Sequence, residues 1–85
     1  MHIVYILQSI NFPKQLYKGY TTDLKNRIVK HNSGSVPHTA KYKPWNIVFY
    51  CCFKNKKKAL DFERYLKTAS GIAFMRKRLI NMTTL

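Results

Sequence analysis

His2-Ile3-Val4-Tyr5-Ile6-Leu7-Gln8, then Asn11-Phe12-Pro13-Lys14, then Leu16-Tyr17-Lys18-Gly19-Tyr20: this opening stretch decides the fold. Its first segment puts Ile3, Tyr5 and Leu7 on one face of a strand and Val4 and Ile6 on the other, so both faces are apolar. The Pro-containing middle segment reads as a turn and the last as a second short strand. Their closeness in sequence predicts a hairpin with a loop of several residues.

Working outward, Thr22 followed by Asp23 predicts the N-cap and acidic first turn of a helix running to about Asn32, with Gly34 ending it. Leu24 and Ile28 form its apolar stripe, and Arg27 and His31 lie one turn apart beside it. Ser33 to Pro44 reads as a basic loop carrying His38, Lys41, Tyr42 and Lys43. Trp45 to Phe53, rich in aromatic and branched side chains, is the strongest strand signal and is expected to be central or well covered. Asn55 predicts the cap of a second helix through Ala69, with the stripe Ala59, Phe62, Leu66 and Ala69, and Gly71 marks its end. Ile72 to Met82 reads as a last helix with Phe74, Met75, Leu79 and Ile80 apolar. Strands and helices in this order make an α+β domain, taken as a single unit over residues 1–85.

Composition narrows the function. Sixteen Lys and Arg against three acids give a formal net charge of +13, which a polyanionic partner would neutralise, so nucleic acid leads the candidates. No basic amphipathic segment stands apart from the core pattern, which argues against a membrane surface. Hydrophobic residues at 46% and aromatics at 14% suffice for a packed interior. Cys51 and Cys52 are adjacent in a strand, where their side chains point to opposite faces and form no ordinary bridge. With no signal peptide or membrane-spanning stretch, a cytoplasmic location is the expectation.

The scarcity of acids fixes the chemistry: any catalytic or metal-binding carboxylate is Asp23, Asp61 or Glu63. Glu63 flanks an apolar helical stripe, where a carboxylate becomes partly buried and needs a cation. That cation is either Arg27 or a lysine in an ion pair, or a hard metal such as Mg²⁺, which keeps most of its waters and accepts a single protein carboxylate. Arg27 has the planar fork to clamp a phosphate, or is a solvated helix arginine. His31 has a pKa range suited to proton transfer, or is a surface histidine. Tyr5, Tyr17, Tyr20 and Tyr42 are packing residues or phenols able to orient or deprotonate water. Lys54, Lys56, Lys57 and Lys58 crowd the positive end of a helix, against its dipole, which a nucleic-acid footprint would explain as well as a solvated face does.

Over about residues 2 to 80 the order of these residues resembles the GIY-YIG endonuclease family, in particular its small stand-alone members similar to the nuclease domain of the bacterial excision-repair protein UvrC. Ile3-Val4-Tyr5 stands where the first triplet belongs and Tyr17-Lys18-Gly19 where the second does. Thr21-Thr22-Asp23-Leu24, Arg27, His31-Asn32-Ser33-Gly34, Thr39, Lys41-Tyr42, Ala59, Glu63 and Leu66-Lys67 follow in the family's order. The resemblance implies a three-stranded antiparallel sheet flanked by helices. It also implies that Tyr5 and Tyr17 flank the catalytic water, Gly19 allows close packing, Arg27 binds the phosphate, His31 fills a position held by histidine or tyrosine, and Glu63 holds one divalent ion.

Three departures accompany the match. Ile3 replaces the first glycine of the name, Tyr20 stands where excision-repair relatives often carry lysine, and an asparagine found after the glutamate in many catalytic relatives has no counterpart, Met75 falling near its place. The resulting expectation is a Mg²⁺- or Mn²⁺-dependent endonuclease acting on nucleic acid, with DNA preferred over RNA, in repair or recombination. The five residues Tyr5, Tyr17, Arg27, His31 and Glu63 are expected around one concave surface, with Lys41, Lys43, Lys54, Lys56, Lys57 and Lys58 contacting phosphates. The alternative is a nucleic-acid-binding module of the same fold. Specificity is left to substrate shape or to a partner protein.

Overall fold

A strand that is apolar on both faces has to be covered on both, and β1 (His2–Ser9) occupies the middle of the sheet. The computed structural model of the protein describes residues 1–81. β1 pairs antiparallel with β2 (Leu16–Thr21) on one side and with β3 (Trp45–Phe53) on the other, in the order β2-β1-β3. The register sets Tyr5 opposite Gly19 and Tyr50, Ile6 opposite Lys18, and Leu7 opposite Tyr17, with an irregularity between Ile6 and Leu7 on the β3 side.

Alternation along β1 builds two cores. Tyr5 and Leu7 pack with Trp45, Tyr17, Leu24, Ile28 and Tyr42 on the face covered by α1 (Leu24–Ser33) and the short α2 (Pro37–Ala40). Val4 and Ile6 pack with Ala59, Leu66 and Met75 on the face covered by α3 (Lys56–Tyr65) and α4 (Ala69–Arg78). The expected α+β architecture, a three-stranded antiparallel sheet flanked by helices, is the one observed.

Several local expectations are corrected. β3 is an edge strand, not a central one, and Ile47 and Tyr50 are exposed. Its apolar composition exceeds its burial because only β1, apolar on both sides, has partners on both edges. The N-cap of α1 is Asp23 itself, whose carboxylate accepts from the Asn26 amide at 3.2 Å, while Thr21 Oγ1 accepts from the Asp23 amide at 3.0 Å. Gly34 does end α1, in the left-handed conformation at φ 84° that favours glycine. The basic loop contains α2, started by Pro37 at its first turn.

Residues 56–69 are not one helix: α3 ends at Tyr65, and Thr68 caps a new helix by accepting from the Gly71 amide at 3.1 Å. Gly71 therefore sits inside α4 rather than ending α3. A Cβ there would overlap the Tyr65 carbonyl oxygen, so glycine is required by the close approach of the two helices. Ala69 consequently leaves the α3 stripe and is exposed. α4 stops at Arg78, and Met82, where the sequence suggests the helix ends, lies outside the described residues.

Candidate active site

The register of the hairpin creates the centre of the site. Because residue 19 opposite Tyr5 is glycine, the Tyr5 ring lies across β2. A Cβ at that position would come within 2.5 Å of the phenolic oxygen, and the ring of Tyr17 closes the other side at 3.0 Å. The close packing expected of Gly19 is thus an approach of side chain over bare backbone.

Tyr5 is 1% exposed and its hydroxyl lies 2.9 Å from His31 Nε2. His31, fully buried in the last turn of α1, uses its other nitrogen on Thr39 Oγ1 at 2.8 Å. Thr39, also fully buried, lies in α2, and its hydroxyl donates to the Val36 carbonyl at 3.3 Å. With that proton committed, Thr39 accepts from His31 Nδ1–H, which leaves Nε2 bare to accept from the Tyr5 hydroxyl. The direction of the whole chain follows: Tyr5 to His31 to Thr39 to Val36.

Electrostatics agrees with this assignment. Burial, and then the nearby Arg27 guanidinium, hold the His31 imidazole below its ordinary range, which favours the neutral ring. Burial is also the largest cause pushing the Tyr5 phenol well above its ordinary range; Tyr17 and Glu63 add to it and Arg27 opposes it. Tyr5 is therefore a persistent hydrogen-bond donor at neutral pH.

The remaining expected residues surround this chain at different ranges. Tyr17 is half-buried, its ring 6.2 Å from that of Tyr5 and 4.9 Å from that of His31. Arg27, one turn before His31 on α1, is half-buried and lines a polar cleft of about 150 Å³ with Thr21, Asp23, Asn26 and Lys30. Glu63 approaches from α3, on the other side of the sheet; its side chain is 20% exposed and accepts from Lys67 Nζ at 2.9 Å. Three of the five residues touch directly, whereas Arg27 and Glu63 reach the Tyr5 phenol through their charges.

Each acid now has a place. Asp23 caps α1, and Asp61 pairs with Lys57 at 2.8 Å and Arg64 at 3.6 Å on the exposed side of α3, leaving Glu63 as the acid whose charge acts on the Tyr5 phenol. Among the described residues no cluster of three or more His, Cys, Asp or Glu side chains forms a protein-only metal cage. The donor set does fit a hard divalent ion that retains its waters and takes one carboxylate.

Of the lysines expected on phosphates, Lys54, Lys56, Lys57 and Lys58 are exposed around the start of α3, with Lys57 held by Asp61. Lys41 lies 5.5 Å from the centre of the Tyr42 ring, and the Lys43 side chain runs past Gly34. Two further residues have structural roles at the site that the sequence alone does not display. Thr39 orients His31, and Asn32 clamps α1 to β3 by accepting from the Trp45 amide at 2.6 Å and donating to its carbonyl at 3.3 Å. Polar residues on either side of the helix-ending Gly34 were the available signal; their partners are set by how the loop folds back.

The sequence matches the GIY-YIG catalytic domain over residues 1–77. This chain belongs to the GIY-YIG family. It is 37% identical over 65 residues to UPF0213 proteins of Streptococcus pyogenes serotypes M3 and M1, a span covering 75% of this chain and 68% of theirs. It is also similar to the solution NMR structure of a UPF0213 protein from Bacillus halodurans, with 33% identity and a TM-score of 0.54 over 89% of this chain and 82% of the other. GIY-YIG proteins are a nuclease family that acts on nucleic acid and generally uses divalent metal ions.

Proposed function

We propose that this GIY-YIG protein works as a single-domain endonuclease. It hydrolyses phosphodiester bonds, in DNA in preference to RNA, with one Mg²⁺ or Mn²⁺ ion held by Glu63. The observation that carries this reading is the environment of the Tyr5 hydroxyl: hydrogen-bonded to His31, beside the Tyr17 ring, and within the fields of both Arg27 and Glu63. The ion would supply positive charge next to the scissile phosphate.

The chain's own residues do the rest. Arg27, in an open polar cleft, holds a phosphate and stabilises the charge that develops on it. Tyr5, kept protonated and aimed by His31, donates a hydrogen bond, while Thr39 keeps His31 in the tautomer that accepts from Tyr5. Tyr17 is more open to solvent than Tyr5 and is the tyrosine that positions or activates water. The lysines at 41, 43, 54 and 56–58 contact phosphates without reading bases. Action in the cytoplasm, in repair or recombination, completes the reading; no helix among the described residues is long and apolar enough to cross a membrane.

Incubation with branched, flapped and linear DNA, with and without Mg²⁺, tests it. Mg²⁺-dependent cleavage of at least one substrate is expected. A protein that binds all of them and cuts none would establish the second reading, a binding module. One observation favours that module: Met75, near the place of the family's asparagine, is 1% exposed in the α3/α4 core and has no polar atom to offer the site.

A further inference from the structure

Glu63 already has a cation. Lys67, one helical turn on, places its ammonium 2.9 Å from the carboxylate that the proposed nuclease reading assigns to a divalent ion. The lysine is 55% exposed along its side chain, so it is free to leave, whereas the carboxylate is only 20% exposed and is held in place. Lys67 also neighbours a further cation. Lys18 is paired with Ile6 in the sheet register and so projects to the α3/α4 face, where its Nζ donates to the Leu66 carbonyl at 3.4 Å, at the C-terminal end of α3. Burial, and then the charges of Lys67 and Arg76, hold the Lys18 ammonium below its ordinary range, so each of those two cations acts on Lys18.

From this arrangement we propose that Lys67 is an exchangeable counterion: it neutralises Glu63 in the free protein, yields the carboxylate to the divalent ion, and with Lys18 and Arg76 then forms a subsite for a backbone phosphate of the nucleic acid. The inference rests on Glu63 as the metal-holding residue. Its physical basis is charge balance. Displacing Lys67 without an anion to receive it leaves Lys18 facing two unneutralised cations near the end of α3, and a phosphate removes that repulsion. Ion binding and phosphate binding are therefore coupled, each favouring the other. The strand geometry suits the assignment: consecutive residues Tyr17 and Lys18 point to opposite faces of the edge strand β2, so a backbone lying along that edge meets both.

Two measurements decide it, on variants whose melting temperatures verify folding. In the first, Mn²⁺ binding to the free protein is followed by electron paramagnetic resonance. Lys67→Met should tighten it about two- to five-fold, the range expected for removing a partly exposed competing ion pair. Lys14→Met, which removes the same charge from the β1–β2 turn, should change it less, and Glu63→Gln should abolish it. Equal affinities for wild type and Lys67→Met, with Glu63-dependent binding intact, would overturn the exchange and leave the metal assignment standing; no Glu63-dependent binding would overturn both.

The second measurement is the salt dependence of duplex DNA binding in a chelator, so that no metal enters. In wild type, Lys67→Met should leave the slope nearly unchanged, because Lys67 is held by Glu63. In the Glu63→Gln background the same substitution should lower the slope by about one, the change for a single lost phosphate contact. Identical effects in the two backgrounds would overturn the phosphate subsite.

Discussion

The two faces of one sheet are packed on different principles. On the α3/α4 face, Val4, Ile6, Ala59, Leu66 and Met75 are buried with no hydrogen-bonding side chain among them. On the α1/α2 face, Tyr5, His31 and Thr39 are just as buried but are joined head to tail by hydrogen bonds that leave no buried side-chain polar atom without a partner among the described residues. The first arrangement supplies stability through apolar burial. The second fixes the orientation of a phenol, at the risk that losing one member strands the others. Adjacent residues of β1 thus serve different ends, Val4 and Ile6 the fold and Tyr5 the site.

The largest expected effect breaks the apolar face. Leu66→Ala should cost about 2–5 kcal/mol of stability, seen as a lower midpoint in chemical denaturation. Any cleavage should fall only in proportion to the folded fraction, because the Leu66 side chain packs with Val4, Ile6, Ala59 and Met75 and not in the cluster that holds Tyr5 and Tyr17. A loss of cleavage in fully folded protein would mean that the two faces are not separable as described.

Next in size is the polar face. Tyr5→Phe keeps the ring but leaves His31 Nε2 buried without a donor, a loss of about 1–3 kcal/mol. Unlike Leu66→Ala, it should also abolish cleavage at temperatures where the variant is fully folded. Gly19→Ala should behave similarly without deleting any polar group, since its methyl would displace the Tyr5 hydroxyl. A Gly19→Ala protein with wild-type cleavage would show that the position of the phenol does not matter.

A smaller effect concerns pH. His31 is held below its ordinary range in the folded state, so the unfolded chain takes up the proton first as pH falls. Its contribution is complete above the unfolded value of about 6.5 and declines as pH drops from there through the lower folded value. Comparison of urea midpoints at pH 8 and 5 should show this decline, and His31→Asn should reduce it. On the α3/α4 face the one histidine among the described residues, His2, is only partly buried, pairs with Tyr20 and lies outside the buried cluster that Leu66 belongs to, so Leu66→Ala should leave the pH dependence unchanged. The smallest effect is on affinity: replacing Lys56 and Lys58 should lower the salt slope of DNA binding by about two if both touch phosphates, and leave it alone if they form only a solvated helix start.

Much of this was legible in the residues themselves. The double-sided apolar pattern of β1, the cap at Asn55 and the terminating Gly34 are local signals, and local physics enforces them. Expectations that depend on tertiary neighbours were less secure. β3 reads as a central strand because composition reports how apolar a strand is, not how many partners it has. Gly71 reads as a helix end because the sequence does not display the Tyr65 carbonyl that approaches it. At the site, Tyr5, Tyr17 and His31 were identifiable and do adjoin. Thr39 as the partner of His31, and Lys67 rather than Arg27 as the partner of Glu63, depended on side-chain geometry that only the folded chain provides.

Glu63→Gln puts the central claim to its most direct test, because it keeps the shape of the side chain while removing the charge that a divalent ion requires. The lost Lys67 pair is a partly exposed i, i+4 contact worth only about 0.3–0.5 kcal/mol, so the melting temperature should barely move. Mg²⁺-dependent cleavage of a DNA substrate that the wild type cuts should disappear while the affinity for that DNA persists. Cleavage retained at the wild-type rate in a folded Glu63→Gln protein would contradict the account, and would make Glu63 no more than the surface partner of Lys67.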